Sequence, residues 1–237
     1  MDFTYSEYSK LIELLKNNGY LIKKYKKDND ISKHVILRHD IDCHLKKAEE
    51  FAKFEKSIDV CSTYFVLLTS NFYNVASSRS RQQIDNIKSW GHDIGLHFDE
   101  KAYEKIDKNN INEYVENELF VLEKILGFKI NVVSMHRPSS YSLKSNFKFE
   151  TAINSYSEKY FSEYKYLSDS RMCWKENIEE IIKSNQYRRL HILTHPFWYA
   201  QCKETLEYKI SSYLENAKKD RYLNFNENFT DLNKILS

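Results

Sequence analysis

Arg38, His39, Asp40, Ile41, Asp42, Cys43 and His44 follow directly on the apolar run Val35, Ile36, Leu37, so two carboxylates and two imidazoles gather at the end of an expected strand. On a strand alternate residues share a face, which points Asp40 and Asp42 one way and His39 and Ile41 the other. Two acids on one face can divide labour. One holds a metal ion, while the other, kept ionised by neighbouring positive charge, takes a proton from water that the metal activates. An Asp that merely caps the following helix accounts for one of these acids and not for both.

Similar clusters recur downstream. The stretch Gly91, His92, Asp93, Ile94, Gly95, Leu96, His97, Phe98, Asp99 carries two histidines five apart, which a strand sends to opposite faces. His97, at the C-terminal end, is the one that can look into a site; His92 reads as structural. His136 and Arg137 follow a β-branched run, and the planar fork of Arg137 can orient a carboxylate. Asp169 and Arg171 end another run, and His195 ends a last one, placed to act as a general acid toward a departing amine. His34 and His191 read as core histidines, His44 as an exposed residue on the first turn of a helix.

The elements that must position these groups alternate along the chain. Short apolar or β-rich runs span residues 34–39, 62–68, 93–98, 130–135, 164–167 and 189–193. Helical periodicity is clearest over 111–126 and 206–217, both expected as surface helices with one buried stripe, and weaker over 5–16, 44–57, 79–90 and 175–184. Gly19 and Gly127 follow helical patterns as C-terminal caps. Such alternation predicts an α/β fold with a mostly parallel sheet, closed into a barrel or open and doubly wound. In a barrel the C-terminal ends of the strands carry the active site, and that is where the reactive clusters fall.

Composition narrows the classes further. The 237 residues suit one domain, 1–237, with a single core. With 36 Lys and Arg against 34 Asp and Glu, no basic field argues for nucleic acid or an anionic membrane. Cys43, Cys61, Cys173 and Cys202 are well separated, without CxxC pairing, and fit partly buried thiols in a reducing compartment. The first residues show neither a basic leader nor an apolar signal region, and no run approaches a membrane span, so a cytoplasmic protein is expected. Nucleophile-elbow, phosphate-loop, dinucleotide and HExxH patterns are missing.

Taken in order, Arg38 to Asp42 (RHDID), Ser62 to Val66 (STYFV), Gly91 to Asp99 (GHDIGLHFD), His136 to Pro138 (HRP) and Leu193 to Pro196 (LTHP) resemble the motifs of polysaccharide deacetylases of the NodB-homology, carbohydrate esterase 4 type. The resemblance covers about residues 34–198 and is to a divergent branch found in bacterial surface-glycan biosynthesis. It implies a distorted (β/α)7 barrel, parallel strands surrounded by helices, holding one divalent metal, usually zinc. The implied activity is hydrolysis of N-acyl or O-acyl groups on sugars, and the reading adopted is removal of an N-acyl group, most simply N-acetyl, from a nucleotide-linked or lipid-linked sugar. Carried over by motif, Asp40 is the catalytic base, Asp42 and His97 are metal ligands, Arg137 positions the base, His195 is the general acid and Asp169 tunes it.

One position departs from the pattern. The family's second histidine ligand falls four residues after the first, where this chain has Lys101. His136, at the end of a neighbouring parallel strand, is the first choice for a third ligand, with Asp99 and then His44 behind it. Two other functions stay open at this level. One is a related hydrolase of a cyclic amide or ureide; the other is a sugar-binding or scaffold protein without catalysis.

Overall fold

The computed structural model describes residues 1–27 and 31–236. Eight strands, β1 (Leu21–Lys23), β2 (His34–Ile41), β3 (Thr63–Val66), β4 (Asp93–Asp99), β5 (Val132–His136), β6 (Ile153–Asn154), β7 (Lys165–Ser168) and β8 (Arg189–Thr194), form one sheet in which every pairing is parallel. Seven follow the path β6-β5-β4-β3-β2-β8-β7, and β1 pairs with the start of β2, beside the residues that β3 leaves free. Helices α1 (Tyr5–Asn17), α2 (Leu45–Ser57), α3 (Ser78–Ser89), α4 (Ile111–Leu126), α5 (Ser140–Lys144), α6 (Glu158–Ser162), α7 (Ile178–Ser184), α8 (Leu206–Asn228) and α9 (Leu232–Ile235) precede, connect and follow the strands. Among the described residues β6 and β7 do not pair, so the barrel is distorted and open along one side.

Side-chain alternation splits the core in two. Val35, Leu37 and Ile41 of β2, Tyr64 and Val66 of β3, Leu96 and Phe98 of β4 and Val133 and Met135 of β5 face outward into one large cluster with the helices. Ile36, Phe65 and Val132 face inward and meet Tyr25, Tyr160 and Tyr164, aromatic rings that fill the lower barrel. Each fully buried side chain of this size contributes roughly 1.5–3 kcal/mol relative to exposure. A side chain at Gly95 would bring Cβ within 2.5 Å of the Phe65 ring, so the close approach of β3 and β4 below the site requires glycine.

The six sequence-expected strands are present. β1 and β6, three and two residues long, were not expected, because so short a segment shows no periodicity. The helix expected over 206–217 extends to Asn228, and its anticipated buried stripe is instead exposed at Leu206, Ile210 and Leu214. It meets the body locally, through Tyr213 against His44 and Phe197 and through an Arg79–Asp220 ion pair at 3.2 Å. Among the described residues no strand follows β8 for it to cover. All four cysteines are free; Cys173 and Cys202 are exposed rather than partly buried. No helix among the described residues is long and apolar enough to cross a membrane.

Candidate metal centre and active site

The inward faces of β2, β4 and β5 end at one mouth. β4 and β5 are neighbours in a register that pairs Asp99 with His136 and His97 with Ser134, and Asp42 lies one residue beyond the end of β2. Asp42 Oδ1 stands 3.3 Å from His97 Nε2 and 3.4 Å from His136 Nδ1, and the two nitrogens are 3.2 Å apart. Zinc with ligand bonds near 2.05 Å sets tetrahedral ligand atoms roughly 3.3 Å apart, so this triangle fits such an ion with a fourth position left open. Asp42 Oδ1 is buried and accepts no hydrogen bond, an orphaned acceptor of the kind that a cation satisfies. Burial raises the Asp42 pKa, but contacts with His136 and His97 outweigh it and hold the carboxyl well below its ordinary value.

Asp40, buried on the same face, is gripped by Arg38. Its oxygens accept from Nε at 3.1 Å and Nη2 at 2.7 Å, a bidentate pair in which the guanidinium is completely buried. Arg38 also donates to Ser134 and Ser155, and its guanidinium lies over the Tyr156 ring at 5.1 Å. Burial alone would raise the Asp40 pKa; the Arg38 charge, assisted by His97, lowers it. His97 Nε2 lies 3.5 Å from Asp40 Oδ2, which puts this carboxylate beside the triangle.

Arg137 is placed differently from expectation. Its backbone adopts φ 47°, and its exposed guanidinium pairs with Asp99 at the rim. The arginine on Asp40 is Arg38, which a strand places on the face of Asp40 by the same two-residue spacing that aligns Asp40 with Asp42. That signal lay in the RHDID stretch. Ser134, which completes the cradle, carries no comparable sequence cue.

Across the mouth, His195 closes the site. Its Nδ1 lies 2.6 Å from Asp169 Oδ1, its backbone N–H donates to Asp169 Oδ2 at 3.1 Å, and Nε2 points toward Asp42 at 3.7 Å. Burial would lower the imidazole pKa, but Asp169, with Asp42 and Asp40 behind it, pushes it up to about 9. Asp169 itself is fully buried, and desolvation raises its pKa in spite of His195.

The alternative ligands stand apart from the triangle. Asp99 is engaged by Arg137 and by the backbone N–H of Lys101 at 3.1 Å. His44 is half-buried rather than exposed: it caps α2 by accepting from Lys47 N–H, and burial lowers its pKa to about 4. With Asp40, Asp42, His195 and Trp198 it lines a cavity of about 30 Å³, room for about one water. His92, His34 and His191 are bonded within the core, to Ser62 N–H at 3.2 Å, Tyr164 at 2.7 Å and Tyr25 at 2.5 Å.

No protein-family model and no curated protein matches the sequence. Solved structures do. A family 4 carbohydrate esterase from Bacillus anthracis is similar at 16% identity over 88% of this chain and 86% of its own, with a TM-score of 0.43. A polysaccharide deacetylase from Bacillus cereus is similar at 17% identity over 79% and 88%, with a TM-score of 0.47. A CE4 family pseudoenzyme from Bacillus anthracis is similar at 12% identity over 79% and 63%, with a TM-score of 0.45. At 12–17% identity, these solved structures are what the chain is similar to.

Proposed function

We propose that the chain is a divalent-metal-dependent deacetylase that hydrolyses an N-acyl group, most simply N-acetyl, from a sugar used in surface-polysaccharide synthesis in the cytoplasm. The observation that carries this reading is the triangle of Asp42 Oδ1, His97 Nε2 and His136 Nδ1, with sides of 3.2–3.4 Å, set beside a buried carboxylate and a carboxylate-backed imidazole. Asp42, His97 and His136 would hold the ion, zinc being the simplest choice for this donor set. When bound, the ion polarises the acyl oxygen and makes water more acidic.

The residues divide the proton transfers between them. Asp40, kept ionised by Arg38, takes the proton of the water whose oxygen bonds to the acyl carbon. His195, kept protonated by Asp169, gives a proton from Nε2 to the departing nitrogen as the C–N bond breaks. Acetate and a free amino sugar result. Arg137, at the rim, pairs with Asp99 rather than with Asp40.

The test is a screen of N-acetylated sugars, free and nucleotide-linked, for released acetate, with Asp40→Asn as the control. Release should fall by about 10²–10⁴-fold in that variant. Activity unchanged in Asp40→Asn would overturn the assignment of the base.

A further inference from the structure

We propose that a groove beside the metal triangle binds an anionic group on the sugar substrate, a phosphate or a carboxylate, through Lys101 and Lys108. The sugar in this statement rests on the deacetylase reading; the anion site rests on the groove itself.

The groove, about 540 Å³, is built by the loops that follow β4 and β5, the strands that supply His97 and His136. Lys101 comes two residues after Asp99, and Ser139 three after His136, so the lining starts within one or two residues of the Asp99–Arg137 ion pair. Lys101 and Lys108 line it, both exposed. Among the described residues neither ammonium has a carboxylate within ion-pairing distance. That contrasts with Lys10, Lys24, Lys129, Lys165, Lys203 and Lys209, which are paired at 2.6–2.9 Å.

The two acids in the groove are already occupied by neutral donors. Glu100 accepts from the Ser139 N–H and the Ser142 hydroxyl, which ties α5 to the end of β4. Asp107 accepts from the N–H groups of Asn109 at 2.7 Å and Asn110 at 3.2 Å. The cations therefore face the groove while the acids are turned into its frame. Ile111, the first residue of α4, also lines the groove, and no side chain caps that helix, so its positive end adds to the same field.

The apolar wall suits a sugar ring next to that charge. Tyr103 is pre-positioned: its ring stacks on Phe98 with centroids 5.8 Å apart, and its hydroxyl donates to buried Glu118 at 2.5 Å. Tyr141, 46% exposed, stands on the α5 side. An aromatic pair with two unpaired ammonium groups recognises a ring that bears anionic oxygen.

The experiment measures calorimetric binding of N-acetylglucosamine, its 1-phosphate, the corresponding uronic acid and inorganic pyrophosphate. The proteins are the wild type as purified, a Lys101→Gln/Lys108→Gln double variant and Lys10→Gln as a charge control. At low salt at least one anionic sugar should bind about five- to tenfold more tightly than the neutral one, and pyrophosphate should bind detectably. Both advantages should vanish in the double variant and persist in Lys10→Gln. Tightening by the phosphate alone identifies a phosphoryl-linked sugar, and by the carboxylate alone a uronic acid. No advantage for any anion in the wild type, or an advantage that survives the double substitution, overturns the proposal. Acetate release from the same sugars is scored separately. Release with equal KM from neutral and anionic sugars removes the anion site and leaves the deacetylase; anion-tightened binding with no release from any sugar does the reverse.

Discussion

Two buried clusters of acid and imidazole lie on opposite faces of the same strand. On the outer face of β2, Glu55 of α2 accepts from Tyr8 at 2.5 Å, His39 at 3.0 Å, Ser62 at 2.6 Å and Tyr64 at 2.8 Å. Four donors fill its two oxygens, and His39 is held again by Thr194. On the inner face, Asp42 Oδ1 has imidazole nitrogens at 3.3 and 3.4 Å but accepts no hydrogen bond, and His97 Nδ1 is likewise unpartnered. Residue types do not separate the two clusters; saturation does. A buried carboxylate with every lone pair used stabilises the fold, whereas one left unsatisfied among nitrogens at ligand spacing is arranged for something not supplied by the chain.

The largest expected effect tests the structural half of this contrast. Glu55→Ala strands two tyrosine hydroxyls, a serine and His39 in the core and should cost about 3–5 kcal/mol in urea unfolding. Asp42→Ala, measured in chelator-treated protein, should stay within about 1 kcal/mol of wild type, since residues poised for function contribute little to folding. Equal losses in the two variants would erase the distinction.

Acid sharpens it further. Burial would raise the Glu55 pKa, but His39, His92 and Ser62 bring it down to about 2 from an ordinary 4.5. A depressed carboxylate contributes stability that is present above the unfolded value and lost as pH falls through the folded one. Glu55 therefore accounts for about 3 kcal/mol lost between roughly pH 4.5 and 2. In Glu55→Gln this part of the acid slope should be gone from unfolding curves recorded across that range.

His195 shows the opposite sign. A raised imidazole contributes stability that is fully present below its ordinary pKa of about 6.5 and is lost as pH rises through about 9. Asp169→Asn should lower the ring's titration midpoint by roughly 2 units, read by NMR in chelated protein, and bring down the alkaline limb of activity with it. An unmoved midpoint would disconnect Asp169 from proton transfer. Smallest of all, Arg137→Ala removes an ion pair whose guanidinium is 57% exposed and should change stability by less than about 1 kcal/mol and turnover by no more than a few-fold. A loss of several orders of magnitude would restore Arg137 as the residue that positions the base.

Much of the architecture was legible because short apolar or β-rich runs alternate with helical stretches, and because His39 and Asp40 obey the strand rule. The sheet then brings His97 and His136 together as expected of neighbouring parallel strands. The less legible parts depend on geometry that periodicity does not carry. Arg38 and Arg137 both follow apolar runs, but Arg137 lies past the end of β5 at φ 47° and pairs with Asp99 at the rim rather than with Asp40. Helix α8 has the residue pattern of a buried stripe, but Leu206, Ile210 and Leu214 are exposed and, among the described residues, no strand follows β8. Glu55 sits among charged residues of an amphipathic helix, and nothing local marks it as the centre of a buried network.

The central claim concerns the inner cluster, and metal analysis of the purified full chain tests it most directly. Plasma mass spectrometry with a zinc titration should find about one ion per chain in the wild type and in Glu55→Gln. The ion should be lost in Asp42→Ala, and affinity should fall by about 10²-fold or more in His136→Ala. Failure of the wild type to bind a stoichiometric divalent ion, or binding that is indifferent to both substitutions, would contradict the account.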